Sequence, residues 1–281
     1  MRLVVCLKQA EEAVFVRWSP PFASFTRRYA DPTGLAALEH ALRLAAGAAQ
    51  VVALTVGPPD AERVLAKAAM MGVERAVRVW GERLAGADSL AVAMVLAAAA
   101  RRLDGDLLLL GARSSDTGTE AVGAAVAELL DLPLVTRVVG IERDADGARL
   151  LVHRKLPRGE RETHRVPCPA VVTIDPGGDE PRYCAPGWMR RTRRLAVETL
   201  RPEELGVADG EPRLVVLEVA PPRPRAKVGV QVAGLSLKDK LAVMRGGRKQ
   251  DSAEERIIEA PAPQAARRLK AALERLLAAR S

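Results

Sequence analysis

The sequence predicts an α/β fold in which helices cover both faces of a parallel sheet. Short apolar runs rich in β-branched residues alternate with longer segments of Ala, Leu and charged residues, which is the pattern of repeated strand–helix–strand units. With 281 residues, 48% of them hydrophobic, the chain can bury a sizeable core in one large domain or two small ones. Right-handed crossovers then place helices on both faces of one sheet.

Strands and helices alternate in the first half of the chain. Each apolar run has the length of a buried strand, and each intervening segment has the composition of a helix. Strands are predicted at 3–7, 51–56, 76–80, 107–110 and 135–141, and helices at 34–46, 59–71, 89–103 and 119–130. Asp88 and Asp116 precede the last two helices, and we predict that they cap these helices or lie in their first turns.

Two hairpins are predicted to interrupt this alternation. The first joins 14–18 to 25–29 around Ser-Pro-Pro at 19–21, before Asp31 and Pro32 start the first helix. The second joins 150–156 to 162–166 around Pro-Arg-Gly at 157–159. A last buried strand is predicted at 170–174, and Asp-Pro-Gly-Gly at 175–178 ends it.

The character of the chain changes near residue 194, where we predict a domain boundary. Residues 1–194 form a compact α/β core, and residues 195–281 form an extended arm with a Pro- and Arg-rich linker at 221–225 and a Gly-containing linker at 245–248. An amphipathic helix is predicted at 262–279. Because such a helix needs tertiary packing, the arm packs either on a partner or on the core.

The charge balance narrows the classes of partner. Lys and Arg number 43 against 35 Asp and Glu, so the formal net charge is +8, and the counter-charge could be nucleic acid, an anionic cofactor or an acidic protein. Two Tyr, three Phe and three Trp supply little surface on which bases could stack. A nucleic-acid partner is therefore not expected.

Metal, disulfide and membrane chemistry are not expected either. The three Cys and three His are widely spaced and show neither a CxxC pair nor metal-ligand spacing. The apolar run at the start is too short for a signal peptide, and the Ala-rich segment at 90–100 is too short to span a bilayer. We predict a cytoplasmic protein.

The loops that follow the strands predict a ligand cleft. In an open parallel sheet, ligands bind beyond the carboxyl ends of the strands. The loop at 111–119 is rich in Gly, Ser and Thr and leads into a helix N-terminus, which suits a phosphate, and Lys8 and Arg113 could add positive charge. The alternative is that any strand–helix loop needs small residues and a cap, since neither a Walker loop nor a GxGxxG is present.

Several blocks of sequence carry a resemblance to a known family. They are VVCLKQ at the start, DPTGLAALEHALRL, GARSSDTGTEAVGAAVAELLDLP and CPAVVTIDPGGDEPRY. On these blocks the chain resembles the β subunit of electron transfer flavoproteins, a family that includes the FixA proteins. The Asp-Glu-Pro-Arg-Tyr run at 179–183 is the most specific part of the match.

The resemblance implies a fold and a function. The fold would be a three-layer αβα parallel-sheet core of the adenine nucleotide α-hydrolase-like, Rossmann-like type. The function would be that of an electron carrier with no bond-making chemistry of its own, in a heterodimer whose α subunit holds FAD. Electrons would come from client dehydrogenases and leave to a quinone-linked or ferredoxin-type acceptor. A cleft in this subunit would hold AMP or a second FAD.

The residues of two sites follow from the loops and the resemblance together. Cys6 and Val56 would wall the adenine, and Thr119 would hold phosphate. The predicted cofactor-binding residues are Cys6, Lys8, Asp31, Pro32, Thr33, Gly34, Val56, Gly111, Ala112, Arg113, Ser114, Ser115, Asp116, Thr117, Gly118, Thr119 and Val122. The predicted partner-binding residues are Lys155, Arg182, Tyr183, Trp188, Met189, Arg190 and Arg191, most of them in a recognition loop at 179–194.

The chain also departs from the family pattern. Asp31 stands where the family usually has Asn, Ala121 where it has Gln, and Glu120 adds a negative charge beside the expected phosphate. The Leu anchor of the recognition loop is absent, so Trp188 either replaces it or covers the core. Lys155 reverses an acidic residue that attracts the flavin domain in the family.

Two other functions fit the same fold class. A stand-alone nucleotide-binding regulatory protein of the universal-stress type would fit the reduced set of phosphate ligands, but it leaves the Asp-Glu-Pro-Arg-Tyr run and the long arm without a role. An ATP-cleaving enzyme of the superfamily would need an SGGxDS-like loop after the first strand, where this chain has Cys-Leu-Lys-Gln at 6–9. The electron-transfer subunit is the favoured prediction.

Overall fold

The computed structural model describes residues 1–16, 23–46, 49–145, 149–184, 187, 189–192, 195–207, 214, 264, 266 and 270, and of 13–16, 23–25, 189 and 191 only the backbone. The chain divides into two compact units, Met1–Leu217 and Glu218–Ser281. The three described residues of the second unit, at 264, 266 and 270, are helical, within the range predicted for the terminal helix. All elements named below belong to the first unit.

The first unit is a nine-stranded sheet between two layers of helices. The strands are β1 (Arg2–Cys6), β4 (Gln50–Val56), β5 (Arg75–Val79), β6 (Leu107–Gly111), β7 (Leu134–Arg143), β8 (Arg149–Lys155), β9 (Arg161–Pro167), β10 (Ala170–Ile174) and β11 (Val197–Leu200). The helices are α1 (Pro32–Ala45), α2 (Glu62–Met71), α3 (Ser89–Arg102), α4 (Ala121–Leu130) and the short α5 (Met189–Thr192). A separate hairpin is formed by β2 (Gln9–Val16) and β3 (Ala23–Ala30).

The strand order is β11-β5-β4-β1-β6-β10-β7-β8-β9. Pairing is parallel from β11 to β7 and antiparallel from β7 through β8 to β9. In the centre, Val4 of β1 lies opposite Val52 of β4 and Leu108 of β6. Alternate residues point to opposite faces, so Leu3 packs with α1 and α2 whereas Val4 packs with α3 and α4. The predicted three-layer α/β fold is confirmed.

The predicted strands, helices and both hairpins are observed with ends shifted by a few residues, but one predicted cap is wrong. The helix predicted from 119 begins at Ala121, and Asp116 does not cap it. Its N-cap, Glu120, has a left-handed backbone (φ 57°) and makes no capping bond. Asp88 does cap α3, since its carboxylate accepts hydrogen bonds from the N–H groups of Leu90 and Ala91.

The sheet continues beyond residue 194, where the core was predicted to end. Strand β11 pairs in parallel with the edge strand β5. Arg75 forms an ion pair of 3.0 Å with Glu198, and the buried Arg78 donates a hydrogen bond of 3.2 Å to the Thr199 hydroxyl. The core therefore extends into the predicted arm. Strand β11 forms because β5 offers it an unpaired edge, and Leu205 and the buried Val207 pack against the core beyond it.

Capping by Asp88 gives a stability prediction. Asp88→Ala removes the acceptor of two N–H groups, so we expect the free energy of unfolding in urea to fall by about 1 kcal/mol. Asp88→Asn keeps one acceptor oxygen and should lose clearly less. Equal losses in the two variants would show that the cap bonds do not stabilise α3.

Candidate functional site

A cleft of about 360 Å³ opens at the carboxyl ends of the central strands β4, β1 and β6. The chain leaves β1 to build β4 and β5 on one side and returns to build β6 on the other, so β1 marks the point where strand order reverses. This is the position at which open α/β sheets bind ligands. The volume lies in the range of about 300–1,000 Å³ that is usual for small-molecule sites.

Most of the predicted cofactor-binding residues line this cleft. Those that do are Cys6, Lys8, Asp31, Thr33, Gly34, Val56, Gly111, Ala112, Ser114, Thr117, Thr119 and Val122. Those that do not are Pro32, Arg113, Ser115, Asp116 and Gly118. The loop predicted from residue types alone is therefore brought to the cleft, but its Arg113 and Asp116 are not part of the lining.

One side of the cleft is apolar. Cys6 and Val56, the two residues predicted to wall an adenine, lie there together with Val92, Leu96 and Leu110. Burial raises the pKa of the Cys6 thiol to about 12, so the thiol stays protonated and behaves as a small hydrophobic group. A planar aromatic ring is the kind of ligand that such a wall accepts.

The N-terminus of α1 is joined to the loop after β6 by Asp31, which is only 2% exposed. One carboxylate oxygen accepts hydrogen bonds from the Thr33 N–H and hydroxyl, at 3.0 and 2.6 Å. The other accepts hydrogen bonds from the Ser115 N–H and hydroxyl, both at 2.7 Å. Tyr29 of the β2–β3 hairpin donates a further bond of 3.0 Å to the Ser115 hydroxyl.

A close approach of backbone explains the glycine at the end of β6. A Cβ at Gly111 would lie 2.1 Å from the Thr33 hydroxyl oxygen and 3.1 Å from the Gly34 nitrogen. Only glycine lets the first turn of α1 lie this close to the strand. The contact brings the α1 and β6 ends of the cleft together.

The ammonium of Lys8 lies on the polar side of the cleft and is already bound within the protein. It donates to Asp116 at 2.6 Å and to the hydroxyls of Ser114 and Thr117 at 3.3 Å. Burial would raise the pKa of Asp116, but hydrogen bonds from Lys8, the Thr117 N–H and Ser114 outweigh it and lower the pKa to about 2. Lys8 therefore adds little net charge for a ligand.

Part of the wall was missed by the sequence analysis. Ala87, Asp88, Ser89 and Val92, at the start of α3, line the cleft opposite the loop after β6. The hydroxyls of Ser89 and Thr119 lie 3.2 Å apart. Thr119 precedes α4, which begins at Ala121. The loop after β5 opens at the same sheet edge as the other loops, so the rule used for them would have found it.

Comparison with known proteins identifies the family. The electron transfer flavoprotein domain matches residues 26–205. The chain belongs to the electron transfer flavoprotein β-subunit family. It is 34% identical over 188 residues to electron transfer flavoprotein subunit beta of Clostridium acetobutylicum, covering 65% of this chain and 71% of that protein.

Other members of this flavoprotein family match over more of the chain. FixA of Rhizobium meliloti is 31% identical over 239 residues, 79% of this chain and 82% of that protein. Human electron transfer flavoprotein subunit beta is 31% identical over 244 residues, 83% of this chain and 92% of that protein. In the described part of this flavoprotein subunit, no helix is long and apolar enough to cross a membrane, and no cluster of His, Cys, Asp and Glu could hold a metal ion.

The predicted recognition loop of this flavoprotein subunit begins with the segment at 179–183, which is bound to α1 through Glu39 and Arg43. We call these contacts the Glu39 clamp. The buried Glu39 accepts hydrogen bonds from the Arg182 N–H and guanidinium at 2.8–3.1 Å, and also pairs with Arg43 at 2.9 Å. Arg43 in turn pairs with Asp179 at 2.6 Å. The guanidinium of Arg182, predicted to bind a partner, thus holds its own segment in place, whereas the adjacent Tyr183 is 94% exposed.

The other predicted partner-binding residues do not line the cleft. Lys155 ends β8 and is exposed. Arg190 is exposed on α5, which also contains Met189 and Arg191. Trp188 falls outside the described residues, so its role as an anchor remains a prediction.

The Asp31 contacts predict the effect of restoring the residue usual in the family. Asp31→Asn replaces one acceptor oxygen by an NH₂ group that faces the donors of Thr33 or Ser115. We expect the free energy of unfolding in urea to fall by about 1–3 kcal/mol. Asp131→Asn, at an exposed left-handed position at the end of α4, is the matched control and should not lower the free energy of unfolding, because Asn is favoured there and a negative charge is not. Equal stability of the two variants would contradict the structural role of Asp31.

The Glu39 clamp predicts a pH dependence. Burial would raise the pKa of Glu39, but the bonds from Arg182 and Arg43 lower it to about 2 from 4.5. The folded protein therefore binds fewer protons between these values, so this contribution is complete above pH 4.5 and is lost as the pH falls towards 2. Glu39→Gln should lower the free energy of unfolding by about 2 kcal/mol at pH 7 and by much less at pH 3.

Urea unfolding curves at several pH values measure this difference. Glu128→Gln, at an exposed position of α4, makes the same change outside the clamp and should have no comparable effect. A Glu39→Gln deficit that is the same at pH 3 and pH 7 would contradict the clamp.

Proposed function

We propose that this chain is the β subunit of a heterodimeric electron transfer flavoprotein. Its α subunit holds FAD, client dehydrogenases supply the electrons, and a quinone-linked or ferredoxin-type acceptor receives them. The observation that carries the proposal is one coincidence: the range matched by the family domain, residues 26–205, contains the start of α1 and the loops after β4, β5 and β6, which line most of the cleft. Several relatives are named electron transfer flavoprotein subunit beta, which supports the same assignment.

The cleft fits the adenylate part of AMP or of a second FAD. Cys6 and Val56 offer an apolar wall to the adenine, and the hydroxyls of Ser114, Thr117 and Thr119 lie on the polar side. The first N–H groups of α4 also face this side, since Ala121, Val122 and Gly123 line the cleft and no side chain caps the helix. A phosphate next to Thr119 would receive hydrogen bonds from this set.

The chain's own part in electron transfer is positioning. The flavin supplies the redox chemistry when it is bound. Asp31 holds the loop after β6 against α1, and Glu39 holds the segment at 179–183 against the same helix. One helix therefore supports both the nucleotide cleft and the proposed partner surface.

The proposed partner surface is built on the exposed side of the clamped segment. Tyr183 is the large side chain it presents, and the exposed Lys155 and Arg190 are cationic groups that would steer acidic patches of the α subunit or of client dehydrogenases. The +8 net charge supports acidic protein partners.

Co-expression with a candidate α subunit tests the proposal. We expect a yellow one-to-one complex that contains FAD at about one equivalent, plus a second adenine nucleotide released on denaturation. Absorbance spectra, chromatography with light scattering, and nucleotide analysis by mass spectrometry measure these properties. The chain expressed alone is the control and should lack the equivalent of FAD that the α subunit holds. A colourless homodimer that binds ATP would favour the stand-alone regulatory function and overturn the proposal.

A further inference from the structure

Glu120 is the charged residue of the cleft that has no described partner. Among the charged lining residues, Asp31 and Asp88 accept hydrogen bonds at helix N-termini, and Lys8 is bound to Asp116. Glu120 lines the cleft and is exposed, and it makes no hydrogen bond or ion pair with any residue that the structure describes. Its carboxylate is therefore available to attract or repel a ligand in the cleft.

The position of Glu120 is defined by its backbone. It occupies the N-cap of α4 with φ 57° and ψ 8°, a left-handed conformation that costs a non-glycine residue of the order of 1 kcal/mol. An N-cap side chain normally accepts a bond from its own helix, and this one does not. Glu120 and the three residues that follow it, Ala121, Val122 and Gly123, all line the cleft, and the Glu120 carboxylate accepts no hydrogen bond from the N–H groups of its own helix.

A phosphate in the cleft would be attracted by the N–H groups and hydroxyls but repelled by Glu120. The repulsion grows with the charge of the phosphate. A 5′-monophosphate carries nearly two negative charges at pH 7, whereas a phosphate esterified on both sides carries one. The compensating ammonium of Lys8 is already paired with Asp116 at 2.6 Å.

We propose that Glu120 shifts the preference of the cleft towards an adenine nucleotide whose 5′-phosphate is esterified on both sides, as in a dinucleotide, and away from one with a free 5′-monophosphate. This inference rests on the proposed adenine-nucleotide function of the cleft. It assigns to Glu120 the choice between the two ligands that the family resemblance leaves open.

Titration calorimetry of the full-length chain with a series of ligand charges tests the proposal. The probes are adenosine, AMP whose phosphate carries one methyl ester, and AMP itself. They carry about zero, one and two negative charges on phosphate at pH 7.5. The ratio of ester affinity to AMP affinity should be about threefold higher in the wild type than in Glu120→Gln. For two charges about 6 Å apart in water, Glu120→Gln should leave adenosine binding unchanged, strengthen ester binding about threefold and strengthen AMP binding about tenfold.

Glu128→Gln is the matched control, because Glu128 is exposed on the same helix and does not line the cleft. It removes the same charge and should not change the order of the three ligands. The gain from Glu120→Gln should also shrink in high salt, since the repulsion is screened.

Two results overturn the proposal, and they can be told apart. If the ligands bind but Glu120→Gln changes the affinity for all three equally, or weakens AMP binding, Glu120 does not select by charge and the nucleotide function stands. If none of the three ligands binds to the wild type, the adenine-nucleotide function of the cleft fails together with the role of Glu120.

Discussion

The buried carboxylate of Asp31 is the contact on which the candidate site depends. It satisfies N–H groups of two segments that lie more than 80 residues apart in the chain, the start of α1 and the loop after β6. A buried carboxylate destabilises the fold unless both its oxygens accept hydrogen bonds, so the start of α1 and the loop after β6 must be in place at the same time. Through Ser115 and Tyr29 the same contact reaches the β2–β3 hairpin.

The sheet and its cleft could be predicted because they depend on local patterns. Runs such as 107–110 and 170–174 are apolar at every position except Thr173, which is typical of strands buried on both faces, and the cleft lies at the carboxyl ends of such strands. Strand β11 has only four residues, and two of them are exposed, so its sequence carries no comparable signal. It forms because β5 offers it an edge, which is a tertiary effect.

The helix caps show where local reasoning stops. Asp88 and Asp116 both precede helices by a few residues, yet only Asp88 is a cap. Asp116 instead pairs with Lys8, which lies 108 positions away in the chain. The two residues are close because β1 pairs with β6. His40 is a second example: burial lowers its pKa although the Asp179 carboxylate, 3.8 Å away, raises it, and Asp179 lies there because the segment after β10 returns to α1. A residue's type predicts what it can bind, whereas the topology decides which candidate it meets.

Two of the cations predicted to bind ligands or partners are paired within the chain itself, so they do not contribute to the positive charge available to other molecules. Lys8 and Arg182 were both assigned to ligands or partners, and both are bound by acids of the chain itself, Asp116 and Glu39. An acid that is largely removed from solvent needs a counter-charge, so it binds the cation that the fold brings nearest. The surplus that remains lies on exposed side chains such as Lys155 and Arg190. Among the residues that the structure describes, the one charge of the cleft without a partner, on Glu120, is therefore negative although the chain as a whole is basic. Positive charge that is exposed rather than lining the cleft supports the proposed acidic protein partners, and in the proposed nucleotide complex it leaves the hydroxyls and N–H groups to hold the phosphate.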